Sequence, residues 1–399
     1  MYSMLLCFLI CIIKNVNYKG SNNMTYLFCA IISVLLLFYL ETNQCNNISG
    51  NKKYIYSKNA FNFILIILLI YWTLVIGLQY DTGTDYNSYK NIFKKGKFYR
   101  SSNEFLFYYF ALFLSKHNIH YQFGFIIIAL LQFILFFVFL KKMSLLYNYL
   151  FIYLFFFTCV AFYNQTNAIR QFVAVYIFLL SLWFAYKRKI WFYIISIIIA
   201  SFFHASALAL LPIYFLSRIK PSEYFLFFLL LICFIISLIE IDKFTQKIIP
   251  LFSIYEKYLT HEWAMSKITT INKLMKYIYV PFYLFSLACY KNLNEKDKYF
   301  FNVGFVSFCL IVLSLSSRVL TRFSMYLWIP AIFPLYHFLS YLLFSRNIIR
   351  YEKLFIIVSF LLLTFSILFI KVIIFPSNEY VYKSIFFVEI SRMFLKINY

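Results

Sequence analysis

Acidic side chains are scarce in this sequence: Asp and Glu number 14 among 399 residues, against 37 Lys and Arg. Charged residues of both signs reach only 13%, where a soluble domain carries about 25%. That shortfall excludes an ordinary soluble globular protein. Nucleotide-driven transport and zinc hydrolysis lack support, because no G-x-x-x-x-G-K-[ST] loop, G-x-G-x-x-G strand turn or H-E-x-x-H pair occurs. The eight cysteines form no C-x-x-C pair and no Cys/His ligand pattern, and most lie in apolar runs. They are expected to be small buried hydrophobes, with neither a bound metal nor a cofactor. No low-complexity linker, soluble domain or clear internal repeat interrupts the chain.

What is present is hydrophobic: 63% of the residues are apolar and 24% aromatic. Apolar runs approach the roughly 20 residues that cross a bilayer as a helix. They fall at approximately 2–13, 24–40, 61–79, 122–140, 144–162, 169–186, 191–216, 223–240, 277–290, 298–316, 323–344 and 354–375. The runs are continuous, whereas a membrane β-barrel would show short alternating segments. The expected fold is therefore all-α, a single polytopic membrane domain over 1–399 with about 11–13 transmembrane helices. The segment Tyr2–Ile13 lacks a basic leader and a small-residue cleavage site, so it is read as a retained first helix.

A net charge of +23 in a soluble protein would point to nucleic acid. Here Lys and Arg lie mainly between the apolar runs, so orientation and lipid headgroups account for them and no nucleic-acid partner is expected. The densest short clusters are Lys141-Lys142, Lys187-Arg188-Lys189, Lys291–Lys298 and Arg346–Lys353, which the positive-inside rule places in the cytoplasm. Counting crossings then raises a conflict, because a single helix over 191–216 puts Lys291–Lys298 outside. One helix of that length would also span about 39 Å, more than a hydrocarbon core of about 30 Å. Both difficulties vanish if the segment is broken or re-entrant, turning near Ser201–His204. The outer face then receives the long loops 80–120 and 241–276, together with 163–168, the His204 turn and 317–322.

Polar groups gather in those pieces. In "LQYDTGTDYNSYKNIF" (78–93), Asp81 and Asp85 flank Gly83-Thr84, with Glu104 further along the loop. An interfacial loop with tyrosine anchors is the plain alternative. In "FYNQTNAIRQFVAV" (162–175), Arg170 and Gln171 open an apolar helix. The positive end of the macrodipole opposes an arginine there, so Arg170 either meets an anionic group or snorkels to the interface. His204 lies between apolar flanks in "ASFFHASAL", as a hydrogen-bonded structural group or a reacting one. Arg318 and Arg322 are one helical turn apart and could grip a phosphate together or anchor the surface. The loop 241–276 interleaves Lys243, Lys257 and His261 with Phe252, Tyr255, Tyr258 and Trp263, which suits sugar stacking or a membrane surface equally.

In order, "GTDYNSY" (83–89), "NAIRQFVAVYIFLLSL" (167–182), "IASFFHASALALLP" (199–212) and "RVLTRFSMYLWI" (318–329) resemble the EpsG family over a core of about 80–330. These are Wzy-like polymerases of bacterial surface polysaccharides. The resemblance implies a multi-pass inner-membrane glycosyltransferase that joins polyprenyl-diphosphate-linked oligosaccharides at the external face, making O-antigen, capsule or exopolysaccharide. The leaving lipid diphosphate would supply the driving force. It implies Arg170, Arg318 and Arg322 as a diphosphate clamp, Asp85 and His204 as activators of the acceptor hydroxyl, and Asp81, Tyr86, Gln171 and Glu104 as substrate contacts. The bilayer, flippase and chain-length regulator proteins would be its partners. Two rivals use similar groups: a lipid-linked oligosaccharide flippase, which would spread charges through depth and show related halves, and a polymer-to-lipid ligase, which would share the donor clamp. A membrane O-acetyltransferase is a more distant one.

Overall fold

A computed structural model describes residues 31–37, 58–96, 104–144, 146–158, 161–217, 219–239, 268–344 and 350–369. The expected helices at 2–13 and most of 24–40, and the larger part of the loop 241–276, lie outside them. Among the described residues the chain is predominantly helical, and the fold is all-α. Among the described residues four helices are long and apolar enough to cross a bilayer: Ala60–Gly77, Tyr121–Met143, Ile169–Tyr186 and Glu295–Ser316. Shorter apolar helices accompany them, and the chain is a multi-pass membrane protein.

Two compact units are present, and the first holds, of the described residues, 31–37, 58–96, those within Phe107–Val173, and 365–369. Its helices are α1 (Lys58–Gly77), α2 (Tyr86–Lys95), the greater part of α3 (Phe105–Lys116), α4 (Tyr121–Met143), α5 (Tyr149–Thr158), α6 (Ala161–Asn167) and the start of α7 (Ile169–Tyr186). α1 packs along α4. At that seam Trp72 is fully buried, with Phe162 and Phe157 rings 4.6 and 5.6 Å away. Its indole N–H donates to Tyr153 Oη at 2.8 Å, which meets the one polar requirement of an otherwise apolar side chain. α2 is amphipathic by spacing: Tyr86, Tyr89 and Phe93 face inward, while Lys94 and Lys95 sit in the last turn where the macrodipole favours cations. The described residues of the stretch 80–120 thus form two helices, α2 and α3.

The second unit contains Ala174–Thr364 and the short piece ahead of Phe107. The segment read from sequence as out-and-back is a hairpin: α8 (Ile190–Ser201), a turn at 202–204, and a 3-10 helix Ala205–Ser217. Tyr193 Oη donates to Leu210 O at 2.6 Å, and Tyr214 Oη donates to Arg188 O at 3.3 Å. The second bond ties the far part of the 3-10 helix to Arg188, two residues ahead of α8, so both ends of the hairpin meet. Next come α9 (Glu223–Leu238), α10 (Thr270–Tyr277), α11 (Val280–Ser286), a 3-10 turn Leu287–Asn292, and α12 (Glu295–Leu313). Then α13 (Arg318–Ser324), α14 (Ile332–Phe344) and α15 (Arg350–Phe369) as far as Thr364 complete the described part of this unit. The sequence-based span 323–344 is shorter in the structure, because residues 325–331 form turns around Pro330; proline removes a helical N–H and clashes with the preceding turn. Similarly, 144–162 divides between α5 and α6.

Contacts gather the basic loops of this unit at one end. Lys220 pairs with Glu295 and Lys291 with Glu223, both at 2.6 Å. Tyr290 Oη donates to Pro221 O at 2.9 Å, and Tyr299 Oη donates to Leu182 O at 3.1 Å. The residues Lys187–Lys189, 219–220 and 291–298 therefore lie together. α12 runs from there to Ser314–Ser316 over about 28 Å, and α13 follows at its other end. Reporter fusions after Lys189, Lys220 and Lys291 are expected to report one and the same side of the membrane. An opposite signal after Lys220 would contradict the hairpin.

Candidate functional site

Within the second unit, His204 closes the turn between α8 and the 3-10 helix, its N–H donating to Ala200 O at 3.0 Å. Its Nδ1 lies 2.8 Å from Glu104 Oε1. The same carboxylate oxygen accepts the Ala205 N–H at 3.2 Å. The Glu104 side chain is only 7% exposed and that of His204 22%. A carboxylate so enclosed requires such partners. The residues after it brace the turn: Leu106 N–H donates to Phe202 O at 3.2 Å, and the Phe105 ring lies 5.9 Å from Phe202. When Nδ1 is held by a carboxylate, Nε2 becomes the nitrogen that takes or gives a proton.

The next turn joins this histidine to the arginine helix. Ser206 Oγ and Tyr326 Oη are 3.0 Å apart, and Tyr326 comes just after α13. Arg318 opens that helix and Arg322 lies one turn on, both half-buried. Thr321 and Ser324 bond back to the carbonyls three residues before them, each at 2.7 Å. The Lys276 ammonium sits 4.9 Å over the Trp328 ring. His204, Arg318 and Arg322 thus occupy the end of the second unit away from its clustered basic loops.

The first unit carries its own polar cluster. The N-terminal turn of α7 places Arg170 beside α2: its Nε donates to Tyr89 Oη at 3.4 Å. The guanidinium lies 5.6 Å from the Tyr89 ring centre and 5.2 Å from that of Phe107, a cation–π cradle. Asp85 N–H donates to Asn167 Oδ1 at 2.9 Å, and Thr84 Oγ1 to the same oxygen at 3.2 Å. The Asp85 side chain does not cap α2. Asp81 is exposed with φ of 50°, a left-handed conformation that Asp tolerates better than most residues. At the loop entry, Gln122 Nε2 donates to Gly77 O at 2.6 Å and Gln79 O at 3.0 Å.

The four sequence stretches fall in these two clusters, and a family model for the EpsG family matches residues 61–384. The chain belongs to the EpsG family. Membership suggests a Wzy-like polysaccharide polymerase, a glycosyltransferase in the general sense. Neither a curated protein nor a solved structure matches the chain.

In this EpsG-family chain the residues singled out from sequence divide by unit. Asp81, Asp85, Tyr86, Arg170 and Gln171 are in the first, and Glu104, His204, Arg318 and Arg322 in the second. Tyr86 is 1% exposed and stacks on Phe125 at 4.9 Å, and Gln171 is 5% exposed. Burial, and secondarily the neighbouring Tyr121, push the Tyr86 hydroxyl pKa upward, so it remains a neutral phenol. Glu104 is the partner of His204, a role that sequence reasoning did not give it. Asn167, Ser206 and Tyr326 were also missed as connecting residues. Asn167 stands three positions ahead of Arg170 in the same quoted stretch, which was the available signal. Among the described residues, no group of His, Cys, Asp and Glu is arranged to hold a metal ion.

Proposed function

We propose that this EpsG-family protein polymerises polyprenyl-diphosphate-linked oligosaccharide repeat units at the external face of the bacterial inner membrane. The growing glycan passes from its lipid diphosphate to a hydroxyl at the non-reducing end of the next lipid-linked unit. The acceptor O–H gives its proton to His204 Nε2, its oxygen bonds to the donor's anomeric carbon, and the bond from that carbon to the phosphate oxygen breaks. Polyprenyl diphosphate leaves with the electron pair, and Arg318 and Arg322 offset the charge it gains. Glu104 holds the imidazole and stabilises it once protonated. Arg170, Asp81, Asp85, Tyr86 and Gln171 are assigned to substrate binding by the first unit, with Asp85 as a second candidate activator. Flippase and chain-length regulator proteins are the expected partners.

The carboxylate-held histidine carries this reading. It lies at the end of its unit that bears α13, while the basic loops, cytoplasmic by the positive-inside rule, lie at the other. In a strain lacking the native gene, Arg318→Ala and Arg322→Ala are each expected to shorten or remove the polysaccharide ladder. The loss of transfer rate should be about 10²-fold, the scale of removing one charge-stabilising donor. Single repeat units should still reach the surface. Unchanged ladders from both variants would remove α13 from the donor site, and blocked export of single units would indicate a flippase.

A further inference from the structure

We propose that Asn167 is a positioning residue that latches the Asp81–Asp85 loop to the junction of α6 and α7 and so fixes Asp85 relative to Arg170. The proposal rests on the substrate-binding roles given above to Asp85 and Arg170. One side-chain oxygen, Asn167 Oδ1, accepts both the Asp85 N–H and the Thr84 hydroxyl, at 2.9 and 3.2 Å. Its approach is close enough to dictate the residue opposite. Gly83 has φ of +80°, and a Cβ built on it would stand 2.8 Å from that same oxygen. Only glycine meets both conditions without strain.

A second contact sets the register. Tyr89 N–H donates to Asp85 O at 3.0 Å, so Tyr89 lies one helical turn beyond Asp85. Arg170 lies three residues beyond Asn167, and its Nε meets Tyr89 Oη at 3.4 Å. The beginning of α2 and the α6–α7 junction are therefore joined at two points, Asp85 to Asn167 and Tyr89 to Arg170. A two-point join leaves little freedom to slide or rotate. Gln132 on α4 adds support from below, its amide donating to Ile169 O at 2.9 Å in a buried position. Asn167 itself need not touch substrate. Its amide holds in place a loop that has no regular secondary structure to hold it.

The test compares Asn167→Leu, which keeps the size and loses the acceptor, with Asn167→Asp, which keeps an oxygen for both donors. Hydrogen exchange of the purified full-length protein reads the latch without reference to activity. Asn167→Leu should speed exchange in peptides covering 78–86 by roughly tenfold, the scale of one lost hydrogen bond, and Asn167→Asp should restore protection. Transfer of lipid-linked repeat units in vitro should fall about 10²-fold in Asn167→Leu, as expected of a misplaced contact, with most activity regained in Asn167→Asp. Unchanged exchange in Asn167→Leu would overturn the latch. Faster exchange with normal transfer, while Arg170→Ala is inactive, would overturn the positioning role. If Arg170→Ala and Asp85→Asn both transfer normally, the substrate-binding assignment of this loop fails, and the exchange result still decides the latch.

Discussion

His204→Gln is expected to accumulate in the membrane at the normal level and to yield no polysaccharide ladder, with single repeat units still displayed. Glutamine has nearly the reach of histidine and can bond to Glu104, so the turn keeps its connection. What it lacks is a nitrogen that accepts a proton near neutral pH, and general-base help is worth about 10²–10⁴-fold. Glu104→Gln should weaken transfer by less, since its side-chain oxygen still accepts the Ala205 N–H and only the charge opposite the imidazole is lost. Ladder length on a gel, normalised to protein in the membrane fraction, reads both variants. A normal ladder from His204→Gln would take the histidine out of the reaction. If both variants disappear from the membrane, the pair is a structural one, because breaking a buried pair typically costs about 3–5 kcal/mol.

The second large effect is on stability. Gly304 lies within the largely buried α12 and faces the turn before α14 and the first turn of α14 itself. A Cβ there would stand 2.5 Å from Pro334 Cδ and 2.6 Å from Pro330 O. Neither atom yields readily: one belongs to a proline ring and the other to the backbone, and Tyr283 Oη already donates to the next carbonyl, Ala331 O, at 2.5 Å. Helix propensity alone predicts that Gly304→Ala stabilises the protein by about 1 kcal/mol. The overlap opposes this with a typical overpacking cost of about 1–3 kcal/mol. Net destabilisation is therefore expected, seen as a lower midpoint in thermal unfolding of the purified protein. A midpoint that is unchanged or higher would show that residues 330–334 can withdraw from α12.

The spans are legible because hydropathy is local. The runs read at 61–79, 169–186 and 223–240 correspond to Lys58–Gly77, Ile169–Tyr186 and Glu223–Leu238. The hairpin was also accessible, since a 26-residue apolar run is too long for one crossing and the basic loops around it had to share a side. Two things blurred the reading. Pro330 lies in an apolar stretch that hydropathy cannot distinguish from continuous helix, so the start of α14 was placed too early. The amphipathic α2 is too polar to register as an apolar run, and its buried face of Tyr86, Tyr89 and Phe93 becomes visible only once α2 is known to be helical.

The membrane class, the all-α fold, the basic loops and the inventory of polar residue types can all be read from the chain as a string of residues. Those properties follow from composition and from spacing within a few residues. Tertiary structure alone decided which of those residues act on one another. Glu104 meets His204 across 100 positions, Asn167 meets Asp85 across 82, and Ser206 meets Tyr326 across 120. A contact between distant positions leaves no periodic trace in the chain, because it depends on helix packing and turns rather than on neighbouring residues. For this reason Glu104 reads from sequence only as a loop acid and candidate substrate contact, and Asn167 has no assigned role, until the fold sets one against an imidazole and the other against a glycine turn.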